Sequence, residues 1–519
     1  MTTLAFAPTI PNLLRRSAER YGDRDYLVTA DRSLTFADAE LQSRRLAKRL
    51  LNAGVGKGTR VGMLFPQGPD FVVALLAITR IGALAVPLST FYRAPELRRA
   101  VRHADMHMLI ASPASEELLG FGRGSDLFLP DAPFLRHVWI CPDPAQDEDE
   151  PDITDRLLEA LEAEVSPSDP MVIVYTSGAT AEPKAVVHTH GAQVRHSWTV
   201  ALLHGITADT RSFTTMPFFW VGGLTVVLLS HLHMGALVIM VERTDGPLML
   251  DLIEQTKPTR LVGWTLVERI VSDPALAGRD LSWLWELQLP SLAAPGRRHN
   301  SLGMTETGGP HTGAPPAENT EDLPEALRGS FGPPVAGVQH QIVDPESGSV
   351  LPDGVEGEIC VRGDSVMLGF HKKERSETFD EDGWYHTGDR GFFRDGLLFF
   401  TGRRSEMIKT GGANVSPREV EAALESLPGV QAAFVVGVPD DERGEIVACM
   451  VCPEAGHDLD PAALTDRLRE ELSSYKVPRR IVVVPYDDAP WLPSGKISKP
   501  RIVALFLTDP EGGHSVVRE

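Results

Sequence analysis

The sequence has few cysteines, fewer basic than acidic residues, and no visible export signal. Four cysteines in 519 residues are too few for the disulfide framework of a small secreted protein, and their scarcity predicts a protein of the reducing cytoplasm. Residues 1–15 contain no basic start followed by an apolar core, so we expect no secretory signal. The 50 basic and 71 acidic residues give a net charge of −21, which excludes long-range attraction to nucleic acid or anionic lipid.

Two apolar segments could indicate other classes of protein. The segment at residues 224–241 is about long enough to span a bilayer, yet it includes His231 and His233. We therefore predict a buried strand and helix and no integral membrane association. Cys449 and Cys452 form a C-x-x-C spacing inside another apolar run. Because no second pair or nearby histidine completes a metal site, we interpret this run as a core strand.

The composition is that of a globular protein with more than one domain. Hydrophobic residues make up 42% of the chain and charged residues 23%, and the length exceeds that of a usual single domain. Short β-rich apolar runs alternate with helical patterns as far as Gly402, which predicts an α/β fold with βαβ units and mainly parallel sheets. We predict a large N-terminal region of several subdomains at residues 1–405 and a small α+β C-terminal domain at residues 406–519.

Several segments have a pattern clear enough to predict individual elements. A helix is expected to begin at Pro417, with Ser416 as its N-cap. The other predicted helices are at residues 70–81 and 461–472, and the predicted strands are at residues 60–65, 82–87, 138–140, 171–175, 430–438, 447–451 and 481–484.

The strongest chemical signal follows the predicted strand at residues 171–175. From Tyr175 to Lys184 the sequence is rich in small and hydroxyl residues. Hydroxyl groups and backbone amides in a loop after a strand can surround phosphate oxygens, and a lysine adds positive charge. The G-x-x-x-x-G-K-[ST] spacing is absent, so the loop is not a Walker A motif. On its own it could also be a polar surface loop.

Further motifs follow in a fixed order. They are Gly-Met-Thr-Glu-Thr at residues 303–307, Trp-Tyr-His-Thr-Gly-Asp at 384–389, Gly402-Arg403, Gly-Gly-Ala-Asn-Val at 411–415 and Pro-Ser-Gly-Lys at 493–496. In kind and order, these motifs resemble those of the adenylate-forming superfamily of acyl-CoA synthetases, peptide adenylation domains and beetle luciferases. The resemblance extends over residues 13–507, nearly the whole chain.

The resemblance implies a reaction in two steps. A carboxylate attacks the α-phosphate of ATP to give an acyl-adenylate and pyrophosphate, and a thiol then displaces AMP to give a thioester. It also implies that the C-terminal domain is mobile and rotates between the two steps about a swivel that matches Glu406. Coenzyme A is the predicted acceptor. A ligase that loads an acyl carrier protein and a non-catalytic nucleotide- or acyl-binding protein are the alternatives.

The resemblance also implies roles for single residues. Glu306 is implied to hold Mg²⁺, a hard cation that prefers oxygen ligands. Lys496 is implied to bridge the carboxylate and the α-phosphate, a task that suits a compact, flexible charge. Gly411 and Gly412 are implied to leave room for the pantetheine arm of CoA. The residues implied to bind ATP are Thr176, Ser177, Gly178, Thr180 and Lys184 at the β- and γ-phosphates, Thr305 at the α-phosphate, and Asp389 with Arg403 at the ribose.

The expected acyl pocket is apolar, which favours a lipophilic acid over an amino acid. Its predicted lining is Phe218, Phe219, Trp220, Val221, Gly222 and Met304. The predicted partners are therefore a small-molecule carboxylic acid, ATP and CoA, without nucleic acid. The oligomeric state stays open, with a homodimer among the alternatives.

Four positions and one segment depart from the pattern of the superfamily. Alanine stands at Ala181 and Ala185 where glycine is usual, Leu302 replaces the aromatic residue that stacks on adenine, and Trp220 replaces a common histidine. The segment between Leu281 and Gly303 is shorter than usual. These departures predict a stiffer phosphate loop and an active site that is more open or differently built.

Overall fold

The computed structural model describes most of the chain. The described residues are 4–90, 92, 94–115, 119, 132–140, 153–176, 184–242, 246–263, 270, 279, 281, 283, 301–314, 329–403, 408–410, 413–415, 417–440, 443–472, 476–492 and 496–508. The chain divides into two compact units, one of Met1–His340 with Val361–Tyr385 and one of Gln341–Cys360 with His386–Glu519. The domain boundary expected between residues 405 and 406 stays a prediction.

The strands are numbered in chain order. They are β1 Asp25–Val28, β2 Ser33–Thr35, β3 Arg60–Leu64, β4 Leu84–Pro87, β5 Met108–Ala111, β6 His137–Ile140, β7 Pro170–Thr176, β8 Lys184–Thr189, β9 Arg211–Thr214, β10 Leu237–Met240, β11 Arg260–Val262, β12 Gly303–Met304, β13 Gly309–Pro310, β14 Val338–Val343, β15 Gly357–Gly363, β16 Gly369–Phe370, β17 Tyr385–Arg394, β18 Leu397–Arg403, β19 Ile408–Thr410, β20 Ala413–Val415, β21 Val430–Asp440, β22 Gly444–Pro453 and β23 Arg480–Val483.

The helices are numbered in the same way. They are α1 Ile10–Tyr21, α2 Phe36–Asn52, α3 Pro69–Arg80, α4 Ala94–His103, α5 Asp155–Ala163, α6 His190–Leu203, α7 Ser230–Met234, α8 Gly246–Thr256, α9 Pro417–Glu425, α10 Pro461–Glu471 and α11 Lys499–Thr508. A π-helix covers Gly222–Leu229, and short 3₁₀ helices cover Pro113–Ser115, Thr305–Thr307, Arg375–Glu377 and Tyr486–Asp488.

Two sheets form the centre of the first unit. The larger has seven strands in the order β16-β8-β7-β4-β3-β5-β6, with β7, β4, β3, β5 and β6 parallel and β8 antiparallel to β7. The smaller has the order β11-β9-β10-β1-β2 and is parallel except between β1 and β2. The prediction of an α/β fold with mainly parallel sheets is confirmed.

Helix α3 lies in the core of the first unit. Nearly all of its residues are buried, from Pro69 to Arg80, and their apolar side chains belong to the largest hydrophobic cluster. Arg80, at the end of the helix, is buried with them. Its guanidinium binds the carboxylates of Glu162 at 2.7 Å and Glu40 at 2.8 Å, because a buried charge is tolerated only when it is paired.

The apolar segment at residues 224–241 forms part of the π-helix, then α7 and strand β10. This confirms the prediction of a buried helix and strand. Within the part of the chain that the structure describes, no helix has both the length and the apolar character needed to cross a membrane.

The second unit contains a five-stranded sheet in which β20, β19, β22 and β21 are neighbours and β23 pairs with β22. Helices α9 and α10 contribute Val420 and Leu468 to its core. Cys449 and Cys452 are fully buried in β22, and burial raises the pKa of the Cys452 thiol to about 11. Both cysteines therefore belong to a strand of the core, as predicted.

Candidate active site

The predicted phosphate-binding loop connects two neighbouring strands. Strands β7 and β8 are antiparallel, and Thr176 pairs with Lys184 at the ends nearest the loop. Ser177, Gly178 and Thr180 lie outside the described residues, as does the side chain of Thr176. The side chain of Lys184 is exposed at the start of β8. The strand pairing thus positions both ends of the loop.

The Lys184 ammonium group lies over an aromatic ring. Its Nζ atom is 5.3 Å from the centroid of Phe370, within the range of a cation–π interaction. Phe370 belongs to β16, which pairs with β8 so that Phe370 faces Val186. The strand pairing therefore brings this ring beside Lys184.

Glu306 is held at its backbone and at its carboxylate. It lies in the 3₁₀ helix Thr305–Thr307 and is buried. The Met367 amide donates to the Glu306 carbonyl oxygen at 2.8 Å, and the Tyr385 hydroxyl donates to Glu306 Oε1 at 3.3 Å. A hydrogen bond to an ionised carboxylate is stronger than one between neutral groups. Tyr385 therefore orients the carboxylate that the motif assigns to Mg²⁺.

Aromatic contacts connect Glu306 with Lys184. The Tyr385 ring makes an edge contact with Phe370 at 6.3 Å between centroids and with Phe379 at 6.2 Å. Phe370 therefore contacts both the lysine of the phosphate loop and the tyrosine that binds Glu306. Two predicted site residues that are distant in sequence belong to one continuous group of contacts.

In the described part of the site, Glu306 is the one carboxylate assigned to a cation. No group of three metal-binding side chains occurs in the described part of the chain. Mg²⁺ commonly binds one or two carboxylates together with substrate phosphates and water. Glu306 beside a phosphate loop fits that pattern.

Thr305 is positioned by a histidine that the motifs did not indicate. His188 in β8 is fully buried, and its Nε2–H donates to the Thr305 carbonyl oxygen at 2.7 Å. Burial lowers the pKa of His188 to about 4, so the ring is neutral near pH 7. This hydrogen bond joins β8 to the turn that bears Thr305 and Glu306.

The predicted acyl-pocket residues lie at the start of the π-helix and on β12. Phe219 is buried, whereas Trp220 is half-buried, and their rings meet edge to face at 5.5 Å. Phe218 is buried and packs on Phe71 at 5.6 Å, so it belongs to the core. Wide π-helical turns are rare and occur often at functional sites.

Met304 and Gly222 belong to adjoining elements. Met304 in β12 pairs with Gly309 in β13. A Cβ atom at Gly309 would lie 3.6 Å from Val226 Cγ2 of the π-helix that begins at Gly222. The π-helix and the β12–β13 hairpin therefore pack against each other. Leu302 is half-buried just before β12, and the shortened segment before it lies largely outside the described residues.

In the second unit, Asp389 of β17 pairs directly with Arg403 of β18. Asp389 is 4% exposed, and its backbone amide donates to Thr387 Oγ1 at 3.0 Å. The preceding Gly388 has φ of +74°, a left-handed conformation that favours glycine. The side chain of Arg403 lies outside the described residues, but the strand register puts both residues at one place on the sheet.

Lys496 also lies in the second unit, with an exposed side chain. Its carbonyl oxygen accepts a hydrogen bond from the Leu492 amide at 2.7 Å, and a β-bridge joins Trp491 to Ile497 beside it. These contacts fix the backbone on which the lysine is carried. Gly411, Gly412 and Glu406 lie outside the described residues.

Comparison with known families agrees with this geometry. The model of the AMP-binding enzyme family matches residues 14–371, and the model of the AMP-binding enzyme C-terminal domain matches residues 419–496. The chain therefore belongs to the AMP-binding enzymes, within the adenylate-forming superfamily.

Individual relatives extend over nearly the whole chain. A feruloyl-CoA synthase from Amycolatopsis sp is 32% identical over 484 residues, which are 91% of this chain and 94% of that protein. A sulfoacetate–CoA ligase from Cupriavidus necator is 30% identical over 516 residues, 95% of this chain and 97% of that protein. The crystal structure of ATP-bound MatB from Rhodopseudomonas palustris has a TM-score of 0.78 at 25% identity and covers 96% of this chain and 99% of that one. The protein is an ATP-dependent ligase that joins a carboxylic acid to coenzyme A through an acyl-adenylate.

Proposed function

We propose that the enzyme uses Mg²⁺·ATP to activate a lipophilic carboxylic acid in the cytoplasm and transfers the acyl group to coenzyme A. The observation that carries this proposal is the continuous contact from Lys184 through Phe370 and Tyr385 to Glu306. These contacts join Lys184 of the phosphate loop to the Glu306 carboxylate assigned to the cation. The proposed reaction needs both groups where pyrophosphate leaves.

The proposed roles in the first unit follow from charge and position. Lys184 neutralises the β- and γ-phosphates together with the hydroxyl groups of Thr176, Ser177 and Thr180 and the amide of Gly178. Glu306 would hold Mg²⁺, which supplies charge stabilisation to the phosphates when bound. Thr305 contacts the α-phosphate, and its backbone is fixed by the hydrogen bond from His188.

The proposed roles in the second unit belong to residues on both sides of the predicted swivel Glu406. Asp389 accepts hydrogen bonds from the ribose hydroxyls, assisted by Arg403. Lys496 bridges the carboxylate and the α-phosphate during adenylation. Gly411 and Gly412 admit the pantetheine arm in the second step. We assign residues 1–405 to the adenylation domain and residues 406–519 to the mobile domain.

The acid is proposed to be lipophilic because the expected pocket residues are apolar. Phe219 and Trp220 pack edge to face beside the π-helix, and Gly222 and Met304 lie on the two elements that meet there. The similarity to a feruloyl-CoA synthase, which is 32% identical to this chain, supports such an acid.

A screen of acids tests the proposal. Pyrophosphate release is measured with aliphatic, aromatic and polycyclic acids, and each active acid is then incubated with CoA or with a panel of holo acyl carrier proteins. We expect release to depend on a lipophilic acid and a thioester to form with CoA. Loading of a carrier protein in preference to CoA, or binding of ATP without release, would contradict the proposal.

Glu306→Gln tests the cation site in the same assay. The substitution keeps the shape of the side chain but removes its charge, so adenylation should fall by about two orders of magnitude or more. Raised Mg²⁺ should recover part of the rate. Near-normal turnover at low Mg²⁺ would remove Glu306 from the site.

A further inference from the structure

Three buried polar side chains converge on the turn that follows Glu306. A Cβ atom added at Gly308 would lie 2.9 Å from Gln193 Nε2, 3.5 Å from His196 Cδ2 and 3.6 Å from His188 Cε1. We call these three side chains the Gly308 cluster. His188 comes from β8, whereas Gln193 and His196 come from α6.

Several nitrogen atoms of the Gly308 cluster have no hydrogen-bond partner among the residues that the structure describes. They are Gln193 Nε2, His188 Nδ1 and both ring nitrogens of His196. All three residues are at most 2% exposed. Most buried polar atoms in folded proteins are hydrogen-bonded, since an unpaired one costs free energy. Four unpaired atoms around one turn therefore indicate a site that something else completes.

The contacts that exist determine which groups remain available. The Thr225 hydroxyl donates to Gln193 Oε1 at 2.6 Å, so the free end of Gln193 is its NH₂ group, a donor. His188 donates from Nε2 to the Thr305 carbonyl, so its Nδ1 carries a lone pair and is an acceptor. The Gly308 cluster thus offers one donor and one acceptor, and a hydroxyl group can satisfy both.

The Gly308 cluster carries no positive charge near pH 7. Burial lowers the pKa of His188 to about 4 and that of His196 to about 3, so both rings are neutral. Gln193 is neutral as well. A second carboxylate or a sulfonate would lose its hydration without gaining an ionic partner from these three side chains. The completing group is therefore neutral.

The position of the cluster connects it with the acyl site. Gly309, next to Gly308, pairs with Met304 and packs on Val226 of the π-helix. Thr225 of that helix binds Gln193. Both elements that carry the expected acyl-pocket residues therefore border the cluster.

We propose that the Gly308 cluster recognises a hydroxyl group on the acyl part of the substrate, whose oxygen accepts from Gln193 Nε2 and whose proton is donated to His188 Nδ1. His196 adds a ring N–H that can donate to the same hydroxyl oxygen. This inference rests on the proposed function and narrows the acid to a hydroxylated lipophilic acid.

Matched pairs of acids test the inference and distinguish two sources of the hydroxyl group. One pair is para-hydroxyphenylpropanoic and phenylpropanoic acid, and the other is ω-hydroxydecanoic and decanoic acid. The readouts are kcat/KM for pyrophosphate release and the shift of the melting temperature on acid binding in the presence of ATP. In at least one pair, we expect kcat/KM to favour the hydroxylated acid by roughly tenfold or more.

Variants of the cluster should abolish this preference. Gln193→Leu has similar size and removes the donor, so its kcat/KM should become equal for the two acids of a pair. His196→Leu provides a second variant if the first fails to fold. Gln67→Leu is the matched control, because the Gln67 side chain binds the Val241 carbonyl away from the cluster, and it should retain the preference.

The outcomes separate the inference from the proposed function. If apolar acids are activated equally well with and without a hydroxyl group, or if Gln193→Leu and His196→Leu keep the preference, the inference is overturned and the lipophilic-acid function stands. If no acid releases pyrophosphate but the thermal shift still requires the hydroxyl group and Gln193, the proposed function fails and the recognition site stands. If neither readout discriminates, a buried water completes the cluster and the inference is wrong.

Discussion

Tyr385 connects two residues whose roles the motifs indicate separately. Its hydroxyl binds the Glu306 carboxylate, and its ring contacts Phe370 beneath Lys184. The carboxylate lies on a short helical turn that offers no other side-chain donor to it among the contacts described. The hydrogen bond from Tyr385 therefore orients the Glu306 carboxylate.

Tyr385→Phe removes this hydrogen bond and keeps the ring. A hydrogen bond to a charged group contributes about 1.5–3 kcal/mol, and the 3.3 Å distance favours the lower end. We expect pyrophosphate release at limiting Mg²⁺ to fall about tenfold and to recover as Mg²⁺ is raised, because a freely rotating carboxylate binds the cation less well. The measurement is a Mg²⁺ titration of the initial rate.

Tyr26→Phe is the matched control for this experiment. The Tyr26 hydroxyl donates to the Leu228 carbonyl at 2.9 Å in the core, so its loss should lower stability without changing the Mg²⁺ dependence. If both variants lose rate equally at every Mg²⁺ concentration, Tyr385 has only a structural role.

The sequence allowed roles to be proposed for single residues only where a motif includes them. Lys184, Glu306 and Asp389 stand at recognisable positions in ordered motifs. Gln193 and His188 do not, because their meaning depends on the turn at Gly308, more than a hundred residues away in the chain. The unpaired state of a side-chain nitrogen exists only in the folded protein, so no sequence pattern could have indicated it.

The π-helix Gly222–Leu229 requires glycine at its second residue, Gly223. A Cβ atom at Gly223 would lie 2.1 Å from the Pro217 carbonyl oxygen, a distance that side chains do not tolerate. The backbone before the helix and the backbone of its first turn approach so closely that only glycine fits. The apolar pattern predicted a buried helix there, but not its wider turn, since periodicity does not distinguish hydrogen-bond patterns of buried helices.

Gly223→Ala should therefore displace the start of the π-helix. Overpacking of this kind costs about 1–3 kcal/mol, so we expect a lower urea midpoint and a lower kcat/KM for the best acid. Gly56→Ala is the control, because a Cβ atom there has no neighbour within 4 Å and should leave both quantities nearly unchanged. Equal urea midpoints for the two variants would contradict the close approach seen at Gly223.

Several histidines of the first unit are neutral near pH 7 because of burial. Burial lowers the pKa of His190 and His233 to about 4 and that of His231 to about 3. These residues line α6 and α7 and contribute to packing and neutral hydrogen bonds. The unfolded chain binds protons at these rings near the ordinary value of 6.5, whereas the folded chain does not.

Stability should consequently fall as the pH is lowered from about 6.5 toward 4. In that window the unfolded state binds more protons, so each such histidine removes up to about 1.4 kcal/mol of unfolding free energy per pH unit. The loss is absent above the unfolded pKa, where neither state is protonated. Urea midpoints measured between pH 7.5 and pH 5 check the prediction. In His190→Gln, the slope of the unfolding free energy against pH should fall by the contribution of about one bound proton. A flat profile over this range would contradict it.

The positions of the strands along the chain were more predictable than their order in the sheets. Apolar runs such as residues 60–65 and 171–175 indicated the strands, and each predicted segment overlaps an element of the expected type. Strand order was not predictable from these runs, because β8 reverses direction and adds β16 from residues 369–370 at the edge of the sheet. That late addition is what brings Phe370 beneath Lys184.

The two half-reactions should depend on different residues of the C-terminal domain. In the proposed mechanism Lys496 acts only while the carboxylate meets the α-phosphate, so Lys496→Ala should lose roughly two to three orders of magnitude in adenylation. Thioester formation from supplied acyl-AMP and CoA should survive. Gly412→Trp should do the opposite, because a bulky side chain blocks the thiol after rotation.

Glu406→Pro extends the test to the swivel itself. Proline fixes φ near −65°, so a chain that must change conformation at this residue should be trapped before thioester formation and should resemble Gly412→Trp. Pyrophosphate release and thioester formation are measured separately for all three variants, with Lys476→Ala as a control for loss of a lysine elsewhere in the domain. If Lys496→Ala impairs both steps equally, or if Gly412→Trp spares thioester formation, the enzyme does not alternate between two arrangements of its C-terminal domain.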